Sequence, residues 1–180
     1  MKYGVPLSAE VEKLLTFQSY GPWPGIEGAW HKPLKKHRSE NGWFMEHLRV
    51  TEGAVEGLDS YLLRQVSVSR AAPGRINAFH IHPKAGQNEL WTVVQGQLLV
   101  WLVDCRAGSS TEGVQRPFVL SGEEPGLLHI PGGVAHGYKS GPEGATLLYV
   151  MDRQFDLQDP DEGRLPWDAF GAGLWAEDRG

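Results

Sequence analysis

Two histidines, His80 and His82, flank Ile81 in the stretch GRINAFHIHPKAGQNELWTVVQG that runs from Gly74 to Gly96. Side chains alternate across a strand, so imidazoles two apart point to one face. Glu89 opens the next apolar run, where a paired strand returns a carboxylate toward the two rings. A fourth donor, His136, closes the segment Pro131-Gly132-Gly133-Val134-Ala135-His136. Three imidazoles and one carboxylate form a ligand set for a divalent transition metal, and Fe, Mn, Ni and Zn all accept these donors. His47 and His129 carry no such pattern and read as packed structural residues.

The elements that position these groups are short. Ser8 is a candidate N-cap for one small helix, with Val11, Leu14 and Leu15 at helical spacing. Residues 17–42 hold Pro22, Pro24, Pro33 and several glycines, a density of breakers that opposes regular structure. Trp23 and Trp30 in this arm are expected to cover the core. From Trp43 the chain reads as brief apolar runs: WFMEHLRV, YLLRQVSV, INAFHIH, ELWTVVQ, QLLVWLVD, PFVL, LLHI and TLLYVMD. Turn clusters separate them, among them Ala71-Ala72-Pro73-Gly74, Gly108-Ser109-Ser110 and Gly141-Pro142-Glu143-Gly144. This pattern predicts an all-β sandwich or barrel. After Phe155 an acidic tail with Trp167, Phe170 and Trp175 is expected to pack back on the barrel.

Composition narrows the function classes. The chain has 180 residues, 41% of them hydrophobic, enough for one substantial core. Its formal charge of −5 gives nucleic-acid binding no electrostatic support. Cys105 has no partner for an intrachain disulfide, which fits a reducing compartment. With neither a signal-peptide core nor an apolar run near the ~20 residues of a membrane span, a cytoplasmic protein without membrane partners is expected.

Gly74, His80-Ile81-His82, Glu89, Gly96 and Pro131-x-Gly133-x-x-His136 together resemble the two motifs of the cupin superfamily. Within it, the chain is similar to dTDP-4-dehydrorhamnose 3,5-epimerases over roughly residues 40–175. The matching pieces are Gly42 to Glu46, Gln65 and Ser69, Phe79-His80, Gln87, Val103 to Arg106, Ile130-Pro131 through Gly137, Leu148-Tyr149, and Glu162-Gly163 through Trp167. The resemblance implies a double-stranded β-helix, the cupin jelly-roll barrel, with a short N-terminal helix and a C-terminal extension. It places an N-terminal helix and arm at 1–42, the barrel at 43–155 and the extension at 156–180. It also implies a homodimer with N-terminal segments reaching the partner.

Carried over residue by residue, the resemblance makes His80 a general base and Tyr149 an acid acting beside the carbonyl of a small-molecule sugar. Asn77, Gln65, Gln87, Trp91 and Phe155 fall in the substrate pocket, and no nucleotide or flavin cofactor is implied. The chain also departs from the family. Asn77 and Asn41 stand at arginine positions, Glu89 at a lysine position and Phe155 at a tyrosine position. Loss of these cations weakens phosphate recognition, so the expected substrate differs from the usual dTDP-sugar. The carboxylate partner of the base falls to Asp168 or Asp178. His82 and Glu89, where the epimerases carry glutamine and lysine, restore the cupin metal set. A metal-assisted or metal-free epimerase, a metal-dependent dioxygenase, and a noncatalytic sugar-binding cupin using Trp91 and Trp101 all stay open. His80 cannot be metal ligand and free base through one nitrogen.

Overall fold

Alternating apolar residues from Gln65 onward generate long antiparallel ladders. The computed structural model describes residues 4–18 and 20–177. Strands in chain order are β1 (Trp30–Pro33), β2 (Lys36–Ser39), β3 (Gly42–Met45), β4 (Val50–Thr51), β5 (Ala54–Val55), β6 (Gln65–Ala71), β7 (Ile76–Ile81), β8 (Glu89–Asp104), β9 (Gln115–Ser121), β10 (Gly126–Ile130), β11 (Val134–Met151) and β12 (Gly163–Arg164). Helix α1 (Ala9–Leu14) starts where expected, with the Ser8 hydroxyl accepting from the Val11 N–H. The main sheet runs β1-β10-β8-β11-β7-β12, with β6 on β11 and β9 on β8.

β8 and β11 are the spine. β8 fuses ELWTVVQ with QLLVWLVD, and β11 carries Gly141-Pro142-Glu143-Gly144 within it. The sequence predicts separate strands and a turn here. Instead, the two strands bend together, with a register shift between Ser140 and Ala145. Gly96 makes the bend possible: its φ is +74°, and a Cβ there would lie 2.0 Å from the Gly144 carbonyl oxygen. The bend divides β11 into two arms. Its first arm pairs with β7 and its second with β6, while β8 accompanies both.

The proline-rich arm is more regular than its composition predicts. β1 adds to the main sheet beside β10, and β2 and β3 form a separate hairpin. Pro33 ends β1 at a sheet edge, where no further ladder donor is needed. Trp30 packs against an apolar cluster that includes Val55, Tyr61, Leu90, Leu127 and Val150. Trp23 remains largely exposed, edge-on to Trp101.

The main core fills the barrel with Val93, Leu98, Val100, Leu102, Leu120, Leu128, Ile130 and Val134. Each such burial is worth about 1.5–3 kcal/mol before entropy is counted. On the opposite face of β7, Phe79 packs with Phe170 and Trp175 of the C-terminal extension. Asp104 at the end of β8 accepts from Arg106, Ser109 and Thr111 and so organises the following loop. The Arg106 guanidinium, outweighing burial, holds the Asp104 carboxyl well below its ordinary range. No helix among the described residues is long and apolar enough to cross a membrane.

Candidate active site

A cavity of about 260 Å³ opens between β7, the two arms of β11 and the first arm of β8, and it is lined by His80, His82, Glu89, His136 and Tyr149 together with Asn77, Trp91, Tyr138, Glu162 and Arg164. Strand alternation places Glu89 and Trp91 on its wall from β8, and Leu147, Tyr149 and Met151 from β11. β7 departs from that rule. Its ladder with β11 runs His80 against His136 but Asn77 against Tyr138, three steps against two. The extra residue is a bulge that turns Asn77 and His80 to the same side, while Phe79 points into the opposite core.

His82, Glu89 and His136 are brought together. Their donor atoms lie within 4.8 Å of one another, and all three residues are buried. His82 Nε2 is 3.0 Å from Glu89 Oε1, and His136 Nε2 is 3.8 Å from Oε2. Gln87 donates to Oε1 at 2.8 Å and the Trp91 indole N–H to Oε2. Each imidazole turns its other nitrogen to a backbone oxygen, His82 to Asp161 and His136 to Val134. Burial opposes charge on His82, yet the hydrogen bond and charge of Glu89 prevail and raise its pKa to about 9. Glu89 shows the converse: burial opposes its ionisation, but His82 and His136 draw its pKa down to about 2. Burial holds His136 neutral.

His80 stands apart from this group. Its Nδ1 lies 3.5 Å from Glu162 Oε2 and its Nε2 3.1 Å from the Asn77 amide oxygen, which also accepts from Arg164 at 3.1 Å. Burial first, then His136 and Arg164, lowers its pKa to about 4. Among the described residues the carboxylate beside it is Glu162, not Asp168. Asp168 sits in a turn closed by the Gly171 N–H, and Asp178 lies outside the described residues. Glu162 is delivered by β12, whose Gly163 and Arg164 pair with Ile81 and His80. Sequence reasoning missed Glu162 and Arg164 because a two-residue strand leaves no periodic signal. The segment Glu162-Gly163 was visible only as part of the resemblance.

The remaining residues divide between two spaces. Asn77 and Trp91 line the cavity itself, while Gln65, Gln87 and Phe155 line an adjoining one of about 270 Å³ that shares Tyr149, Met151 and Glu162. Burial, then the Glu89 charge, raises the Tyr149 pKa, so the phenol stays protonated near neutrality. Two cations, Arg75 and Arg164, line the cavity. Arg70 bonds the Glu143 carbonyl, and Lys84 pairs with Asp159. Trp101 is tied to the Leu174 carbonyl, away from the cavity. His47 bonds Thr92, and His129 stacks on Trp30.

The sequence model of a family described as dTDP-4-dehydrorhamnose 3,5-epimerase matches residues 24–174. The chain is 38% identical to the spore coat polysaccharide biosynthesis protein SpsL of Bacillus subtilis over 144 residues, 79% of this chain and 91% of that protein. It is 34% identical over 101 residues to the probable low-salt glycan biosynthesis epimerase Agl13 of Haloferax volcanii, covering 56% of this chain and 64% of the other. Among solved structures, a dTDP sugar isomerase from Desulfovibrio desulfuricans G20 superposes with a TM-score of 0.72 at 25% identity, covering 83% of this chain and 92% of that one.

Proposed function

Because this chain belongs to the dTDP-4-dehydrorhamnose 3,5-epimerase family, we propose that it inverts a carbon beside the keto group of a sugar, with His80 as base and Tyr149 as acid. The observation that carries the reading is the shared cavity. Into it project a histidine kept neutral to about pH 4 and a phenol kept protonated, from different strands. In the resting site the Asn77 amide oxygen faces Nε2, and its displacement by the sugar lets the ring proton settle on Nδ1 toward Glu162, the stronger acceptor. Nε2 then takes the proton from the acidified carbon. The C–H electron pair moves into the carbonyl and forms an enolate, with Arg164 and Arg75 supplying positive charge nearby. Tyr149 returns a proton to the other face, and the enolate collapses to the epimeric ketone.

The substrate in this reading is a keto-sugar other than the usual dTDP-sugar, since Asn77 and Glu89 occupy positions where the family carries cations. The protein works as a cytoplasmic homodimer. The test is NMR of keto-sugars in D₂O. Deuterium is expected to enter beside the carbonyl, and Tyr149→Phe and Glu162→Gln are expected to slow kcat by about 10²–10⁴-fold and about 10-fold or more respectively while both proteins remain folded. Oxygen uptake without deuterium entry would replace this reading with an oxygenase. Unchanged exchange in Tyr149→Phe would remove the assigned acid.

A further inference from the structure

We propose that His82, Glu89 and His136 form a three-ligand site for one divalent transition-metal ion on the wall of the same cavity, with His80 excluded from it. A backbone carbonyl offers only lone pairs, so the Nδ1 atoms of His82 and His136, facing Asp161 O and Val134 O, carry hydrogens. In neutral rings this tautomer directs both Nε2 lone pairs at Glu89, one to each carboxylate oxygen. Lone pairs from two imidazoles and a carboxylate meet in a space where each residue is at most 4% exposed. Gln87 donates toward both His82 Nε2 and Glu89 Oε1, and a cation at the centre would engage the lone pairs of all three residues at once. One proton between His82 and Glu89 answers for that pair alone and leaves His136 Nε2 3.8 Å from the carboxylate. A metal ion engages all three donors.

The surroundings fit a metal as well. Ligating histidines commonly donate their second nitrogen to a carbonyl, and ligating carboxylates are themselves hydrogen-bonded. Here Gln87 and Trp91 each donate to one Glu89 oxygen. The donors stand on or beside three strands of one sheet, which fixes their spacing better than loops would. Two imidazoles and one carboxylate suit Fe, Mn, Co, Ni or Zn rather than Ca or Mg, and three protein ligands leave coordination positions open toward the cavity. His80 is not a fourth ligand: its Nδ1 faces Glu162, and among the described residues the donor atoms that lie within 4.8 Å of one another are those of His82, Glu89 and His136. Metal and general base therefore coexist. This assignment does not depend on the epimerase reading, and either can fail alone.

The test uses the full chain, untagged, equilibrated with each of Mn(II), Fe(II), Co(II), Ni(II) and Zn(II), and then desalted. Mass spectrometry is expected to find about one ion per chain for at least one of these metals, with a raised Tm. His136→Asn and His82→Gln are expected to lose the ion, while Glu162→Gln keeps it. Because buried variants sometimes fail to fold, the Co(II) form of the unaltered protein supplies a second readout. Its proton NMR spectrum is expected to show two exchangeable, paramagnetically shifted imidazole N–H signals. No retained metal and no Tm change with any ion would overturn the proposal. So would metal retained in both histidine variants, or any number of shifted N–H signals other than two.

Discussion

His82 and Glu89 form a buried pair whose shifts have opposite signs. Folding raises the His82 pKa from 6.5 to about 9 against the cost of burial, so its contribution to stability is complete below pH 6.5 and is lost as pH rises through about 9. Folding lowers the Glu89 pKa from 4.5 to about 2, so its contribution is complete above pH 4.5 and is lost as pH falls through about 2. In chelator-treated protein the pair stabilises most between about pH 4.5 and 6.5. Thermal melts are therefore expected to show Tm falling between pH 7 and 9, with that slope reduced in His82→Gln. A slope unchanged by the substitution would assign the fall to other groups. The grouping of His82 and Glu89 with His136 was legible as a motif, within a four-residue set that also held His80. The separation of His80 from them was not, because it depends on Glu162 facing Nδ1 of its ring.

At the scale of elements, β8 and β11 show how a breaker reads differently inside a ladder. Gly96 and the Gly141–Gly144 cluster look like punctuation in sequence, yet both lie within continuous strands. Gly96→Ala brings a methyl group against the Gly144 carbonyl and a side chain to a φ of +74°. A loss of at least about 2 kcal/mol is expected, measurable as a Tm lower by about 4–8 °C. A variant as stable as the parent would show that the two arms bend without that close approach. The bulge in β7 is a second case, since strict alternation puts Asn77 and His80 on opposite faces and one extra residue reunites them. No local propensity announces such a bulge. It is set by how β7 registers on β11.

Across the whole molecule, the C-terminal extension joins stability to the site. Trp175, 4% exposed, packs on Phe79 behind β7, and its indole N–H bonds the Trp167 carbonyl. The same extension carries Glu162 and Arg164 into the cavity on the other side of β7. Trp175→Ala is expected to cost about 3–5 kcal/mol in denaturant unfolding, and a loss under 1 kcal/mol would show that the extension merely lies on the barrel. Alternation, capping and motif spacing are local properties of the chain, and from them the all-β class, the short N-terminal helix, the family, and the histidines and tyrosine of the cavity were legible. Folding settles which carboxylate faces His80, which three donors converge, and where strands bend rather than end. Those outcomes depend on register and on contacts between residues distant in sequence, such as His80 with Glu162 and Gly96 with Gly144, which no local pattern encodes.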